Sequence, residues 1–284
     1  MSFQPIQPES RFQSLDIIRG FALLGIFFVN MPSFQWPDLV NQLYLLPYPY
    51  SPLDEGFRLF FDLFVQGKFY PIFSFLFGVG FYLFMEKFAE HGAVGYRFYL
   101  RRMTVLALFG FLHLFFLWYG DILLTYAVAG LLLMLFYRRK VKTILIWMGL
   151  FLSLFTGLML LNVLLLRSVS PEELALFQEM GERKLHEALT VYQKAPLLEW
   201  LSWRFTHEVV PYLENMFFAV LPVLFMFLIG FLAAKFGYVQ RAHAHLPLLK
   251  KVIFFGIVLS LPFEAVILLT YFGHLDFGLL TTYV

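Results

Sequence analysis

His113 is the residue best suited to chemistry in this sequence, and it stands where few histidines do. It lies in Gly110-Phe111-Leu112-His113-Leu114, inside a run without charged residues from Met103 to Gly120. Histidine is the one side chain that titrates near neutrality unaided, which suits a general base or a nucleophile. A buried imidazole hydrogen-bonded to a neighbouring helix would need no chemistry. Asp121 follows the short Trp118-Tyr119-Gly120 segment. An aspartate before an apolar run is a good helix N-cap, and the same position can orient a nearby imidazole.

Asp16 and Arg19 are three apart and share a helix face, as a local ion pair or as an anion site, since arginine binds phosphate bidentately. Asn30 comes eleven residues after Arg19, returning almost to that face about 16 Å further along. The first apolar run thus carries a polar stripe, Asp16–Arg19–Asn30, with Asn30 level with His113 in depth. A lone Asn in such a run would serve as interhelical glue. Lys68 marks the entry to the second run, where snorkelling also explains it. Glu214, Asn215 and Glu264 are expected at a depth like that of Asn30. Gly78-x-Gly80 reads as small-residue packing rather than a nucleotide loop, for want of any βαβ context. His243-x-His245 is a pair without an evident third metal ligand, and no metal site is assigned. The absence of cysteine removes thiolate metal sites and cysteine nucleophiles.

These residues must be positioned by helices in lipid. Of the 284 residues 60% are hydrophobic and only 14% charged, whereas a water-soluble domain carries about a quarter charged residues. A net charge of +2 gives no electrostatic footprint for nucleic acid. The fold class is all-α, a polytopic helical membrane protein with about seven transmembrane helices. They are expected near 15–34, 69–86, 103–119, 121–137, 143–166, 209–234 and 252–271, in one integral membrane domain over 1–284. Long continuous apolar runs argue against a β-barrel, which would alternate.

One set of connections holds Lys87, Arg97, Arg101, Arg102, Arg138, Arg139, Lys140, Lys142, Lys235, Arg241, Lys250 and Lys251, with Arg11 and Arg19 near the amino end. Most of the 21 Lys and Arg lie in that set, so it and the amino terminus are assigned to the cytoplasm, in a multi-pass protein of the inner (cytoplasmic) membrane. Segments 35–68 and 167–208 then face outward. The first run lacks a basic n-region and an A-x-A-like site, so it is expected to remain as a span. Ser170-Pro171-Glu172-Glu173 reads as a capping box opening an outer surface helix, with Trp200 and Trp203 as headgroup-level anchors. Phe57 to Val65 is a second surface helix, with Arg58 and Asp62 one turn apart. The mostly apolar stretch Tyr271 to Val284 fits a short re-entry or a truncated chain.

The block Leu15-Asp16-Ile17-Ile18-Arg19-Gly20-Phe21-Ala22-Leu23-Leu24-Gly25-Ile26 with Asn30 resembles the opening of the YeiB family of bacterial membrane proteins. Lys68-Phe69-Tyr70-Pro71-Ile72-Phe73-Ser74 through Gly80 resembles that family's second block. Gly110 to His113, Trp118 and Gly120-Asp121-Ile122-Leu123-Leu124-Thr125-Tyr126-Ala127 with Gly130 resembles its third. Family members continue into further carboxy-terminal spans, in keeping with truncation. The family has been labelled a possible transport family. Its Asp-x-x-Arg-Gly opening is also similar to that of transmembrane acyltransferases, which move an acyl group from coenzyme A to an acceptor across the membrane with a membrane histidine. Asn30 matches a functional asparagine of that group by position. Their active histidine follows the first span, whereas residues 31–68 here hold none, so His113 would have to take the role.

The first functional expectation is therefore acyl transfer to an extracytoplasmic acceptor, an envelope glycan or a small molecule. His113 would be base or acyl carrier, with Asn30 and Asp121 assisting. Asp16, Arg19, Lys68 and Trp118 would bind substrate or donor, with acyl-coenzyme A as co-substrate and no resident cofactor. The second is a transporter in which the same residues line a path and His113 and Glu264 carry protons.

Overall fold

The computed structural model describes residues 13–34, 36–47, 51–89 and 93–275. Arg11 and the end of the carboxy-terminal stretch, 276–284, lie outside them. In lipid every backbone N–H and C=O must be paired within the chain, so apolar runs of this length become helices. The described residues hold eleven helices, the apolar spans and the shorter or more polar helices between them: α1 Gln13–Asn30, α2 Asp38–Tyr44, α3 Pro52–Phe64, α4 Phe69–Lys87, α5 Ala93–Phe116, α6 Leu123–Leu133, α7 Val141–Arg167, α8 Pro171–Lys194, α9 Leu197–Arg204, α10 Val210–Lys235 and α11 Leu246–Tyr271.

Every expected span coincides with a helix, but among the described residues six rather than seven are long and apolar enough to cross a bilayer. The shorter one is α6, whose 11 residues continue only into the 3-residue 3-10 turn Met134–Phe136. The Trp118–Asp121 turn precedes it and Arg138–Lys140 follows it. Two spans start earlier than expected. α5 runs back to Ala93 through Arg97, Arg101 and Arg102, and α11 runs back to Leu246.

The core is built on α4 and α10, with α5 and α6 against them. The two central helices touch at backbone level: a Cβ on Gly78 would collide with the Phe227 carbonyl, and one on Gly230 with that of Phe75. Gly78 is thus a packing glycine, as its small-residue context predicts. Phe77 stacks on Phe227 at 4.3 Å, and Tyr126 sets its edge against Phe227 at 5.1 Å. The Tyr126 hydroxyl accepts from Ser74 Oγ at 2.6 Å and donates to the Tyr70 carbonyl at 3.2 Å. A buried phenol needs such partners where water is absent.

The outer helices are different. α7 buries only Ile144 and α11 buries nothing, and side chains such as Leu259 and Phe263 stand 67% and 73% exposed. A surface this apolar belongs against lipid, which makes this a multi-pass membrane protein. α11 is tied in by Lys68 Nζ, 3.0 Å from Glu264 Oε1.

The segments between spans form a layer of their own. Ser170 caps α8 with the expected box, its Oγ accepting from Glu173 N–H while the Glu173 carboxylate accepts from Ser170 N–H. These bonds hold the exposed Glu173 carboxyl below its usual range. α3 begins earlier than expected, at a second such box made by Ser51 and Asp54, and Arg58 meets Asp62 at 3.5 Å. α8 packs on α2 and α9 through Val40, Ala188, Val191 and Trp203, and Gln178 donates to the Leu45 carbonyl at 2.9 Å.

Candidate functional site

The last turn of α5, the Leu117–Ile122 connection and the first turn of α6 form one polar cluster. The His113 carbonyl accepts from the N–H groups of Leu117 and Trp118 at 2.9 and 3.0 Å, turning the chain sharply. Gly120 follows where a Cβ would lie within the Trp118 ring. That turn returns Asp121 to the imidazole, with its Oδ1 3.1 Å from His113 Nδ1 and its side chain wholly buried. The other carboxylate oxygen, Oδ2, accepts from Leu124 N–H at 2.7 Å. Asp121 therefore serves both roles open to it in the sequence, one oxygen capping α6 and the other facing the histidine.

Four buried polar atoms around this turn lack a hydrogen-bond partner among the described residues: His113 Nδ1, Asp121 Oδ1, Trp118 Nε1 and Tyr119 Oη. The His113–Asp121 approach is close but not aligned as a hydrogen bond. Buried polar atoms left unpaired are costly, so such a concentration marks a place where water or a ligand is expected. With Nδ1 turned to Asp121, Nε2 is the ring nitrogen left for a reacting group, and the imidazole is one-third exposed.

The other candidates fall into separate places. Asn30 ends α1, and the 3-10 turn that follows sets Phe34 edge-on to Trp118 at 5.0 Å. Packing thus joins the end of α1 to the His113 turn. Asp16 and Arg19 pair with each other at 2.9 Å, both partly exposed, near Gly80 of α4. Lys68 is engaged by Glu264 of α11. His243 and His245 sit on a 3-10 turn, where His245 packs against Tyr238. Among the described residues no three His, Asp or Glu side chains group as metal ligands.

Sequence reasoning missed the residues that hold the turn in place. Arg204 and Glu208 are 1% and 3% exposed and joined at 2.7 Å between Nε and Oε2. The Arg204 guanidinium also donates to the carbonyls of Leu114 and Phe115, both at 3.1 Å, directly after His113. It lies 4.9 Å over the Trp200 ring, and Tyr192 Oη donates to Glu208 Oε1. Burial first, and the Glu208 carboxylate second, push the Tyr192 phenol up, so it stays a donor. Glu208 stands in a π-helical turn, Phe205–Val209, a rare form that recurs at functional sites.

Trp203 corrects an expectation. It is only 8% exposed, stacks on His207 at 4.6 Å and donates to Glu187 Oε1 at 2.8 Å, so it belongs to the outer layer's interior rather than to a headgroup anchor. Glu187 also accepts from Lys184 Nζ at 2.8 Å, and these two bonds, the lysine's first, hold its carboxyl below the usual range. A signal existed in Trp200, Trp203, Arg204, His207 and Glu208, which crowd polar and aromatic groups just ahead of an apolar run.

Fold and site define a polytopic helical membrane protein with a polar turn held from the α8–α9 side by Arg204. No protein-family model matches the chain, and no solved structure does. It is 32% identical over 274 residues to the uncharacterised protein YxaH of Bacillus subtilis, covering 92% of this chain and 67% of that protein. Identity is 36% over 193 residues, 66% of this chain, to an uncharacterised 39.9 kDa protein in the amylase 3' region of Bacillus acidopullulyticus, of which 53% is covered. It is 38% over 122 residues, 42% of this chain, to the uncharacterised protein YeiB of Escherichia coli, of which 29% is covered. The chain belongs to the YxaH/YeiB family.

Removing one partner of a buried ion pair strands the other, at a cost of about 3–5 kcal/mol. Arg204→Met is therefore expected to lower the thermal unfolding midpoint sharply, and Arg204→Met/Glu208→Leu to recover part of the loss. An unchanged midpoint in Arg204→Met would contradict this account of the network.

Proposed function

We propose that this protein is a membrane acyltransferase working at the turn between α5 and α6. The observation that carries the reading is His113 Nδ1 facing the buried Asp121 carboxylate, beside unpaired polar atoms of Trp118 and Tyr119. In this reading His113 Nε2 takes the proton of an acceptor hydroxyl as that oxygen attacks the thioester carbonyl of acyl-coenzyme A. The carbon–sulfur bond then breaks, and the imidazolium returns the proton to the departing thiolate. Asp121 holds the ring and stabilises the imidazolium. Trp118 Nε1–H is an unpaired donor available to the developing oxyanion, and the Asn30 amide is a second candidate. Arg19 receives the donor's phosphates. The acceptor is an extracytoplasmic hydroxyl, on an envelope glycan or a small molecule. The membrane is the cytoplasmic one, with the amino terminus inside.

Acyl transfer from labelled acetyl-coenzyme A in membrane vesicles is expected to fall about 10²–10⁴-fold in His113→Ala, the usual worth of a general base, with a smaller fall in Asp121→Asn. Transfer unchanged in a stably folded His113→Ala would overturn the proposal. Solute flux without transfer would favour transport. Because the chain has no cysteine, single substitutions report sidedness directly. An impermeant maleimide should label Lys194→Cys in intact cells and Lys140→Cys only after lysis. The reverse pattern would invert the topology.

A further inference from the structure

Along α5 from Phe98 to Phe109, on the amino-terminal side of His113, a groove of about 520 Å³ opens between α4 and α5, and the proposed reaction makes no use of it. Apart from Arg101 and Arg102 its lining is wholly apolar, chiefly the rings of Phe84, Phe98 and Phe109 with Val105. Arg101, Val105 and Phe109 follow at four-residue steps, so they share one face of α5 over about 12 Å. The groove is therefore charged at one end and greasy along the rest, with its charged end toward the start of α5. Arg102 lies 4.9 Å over the Phe84 ring, which fixes it against the groove wall. Among the described residues no carboxylate pairs with either arginine.

We propose that this groove is a binding site for an acidic glycerophospholipid of the bilayer, its phosphate on Arg101 and Arg102 and an acyl chain along Val105 and Phe109. Basic pockets between membrane helices are where acidic headgroups bind, and paired guanidinium groups suit phosphate oxygens. The groove opens on the flank of helices that face lipid, so the ligand enters from the bilayer itself. Apart from the two guanidinium groups the lining offers no hydrogen-bonding side chain, which disfavours a nucleotide-bearing thioester there.

Native mass spectrometry of the whole chain, released from nanodiscs of equal phosphatidylglycerol and phosphatidylcholine, tests this. The wild type is expected to retain phosphatidylglycerol over phosphatidylcholine by about tenfold, and Arg101→Gln/Arg102→Gln to retain both equally. Val105→Trp, which fills the groove and leaves the charges, should lose the lipid too, while Lys250→Gln/Lys251→Gln keeps it. No preference in the wild type, the same preference in both groove variants, or displacement of the lipid by palmitoyl-coenzyme A would overturn the proposal. Acyltransferase activity plays no part in the readout.

Discussion

Arg204 closes the end of α5. A helix leaves its last carbonyls without partners, and where water is scarce each needs a donor from elsewhere. At α5 the peptide groups of Leu117 and Trp118 take the first of these, and one guanidinium takes the next two. Its positive charge also suits the negative end of the helix dipole. Glu208 balances that charge and accepts from the Tyr192 hydroxyl, and Arg204 and Glu208 are both buried against the α8–α9 layer. The position of His113 thus depends on a side chain about ninety residues away in sequence.

The rest of the molecule follows from the same solvent. Side chains that lipid accepts cover α7 and α11, and polar groups gather where protein can seal them. Asp121 shows the economy this imposes, as one carboxylate caps α6 with one oxygen and faces His113 with the other. The α4–α10 pair supplies the rigid centre against which the turn is held, its backbones too close for any side chain at Gly78 or Gly230.

The spans were legible because apolar run length is a property of each segment alone. The Ser170 capping box was legible for the same reason, being local in sequence. His113 and Asp121 are eight apart across a turn, and their adjacency could be suspected but not measured. Arg204 and Glu208 read in sequence as an ordinary i,i+4 pair on a half-polar surface helix, since burial comes from partners far along the chain. The Asp16–Arg19 ion pair was legible in its three-residue spacing, and it forms at the opposite end of α1 from Asn30. Lys68 was a candidate for binding substrate or donor, and its carboxylate partner, which comes from α11, was not legible.

The central claim is that Asp121 sets the state of the His113 ring. Nitrogen-15 NMR of histidine-labelled protein, with His113→Gln to assign the signal, tests it directly. The account predicts that Nδ1 carries the proton in the neutral ring, with Nε2 free, and a change of tautomer balance in Asp121→Asn. A ring protonated on Nε2, or a signal indifferent to Asp121→Asn, would contradict it.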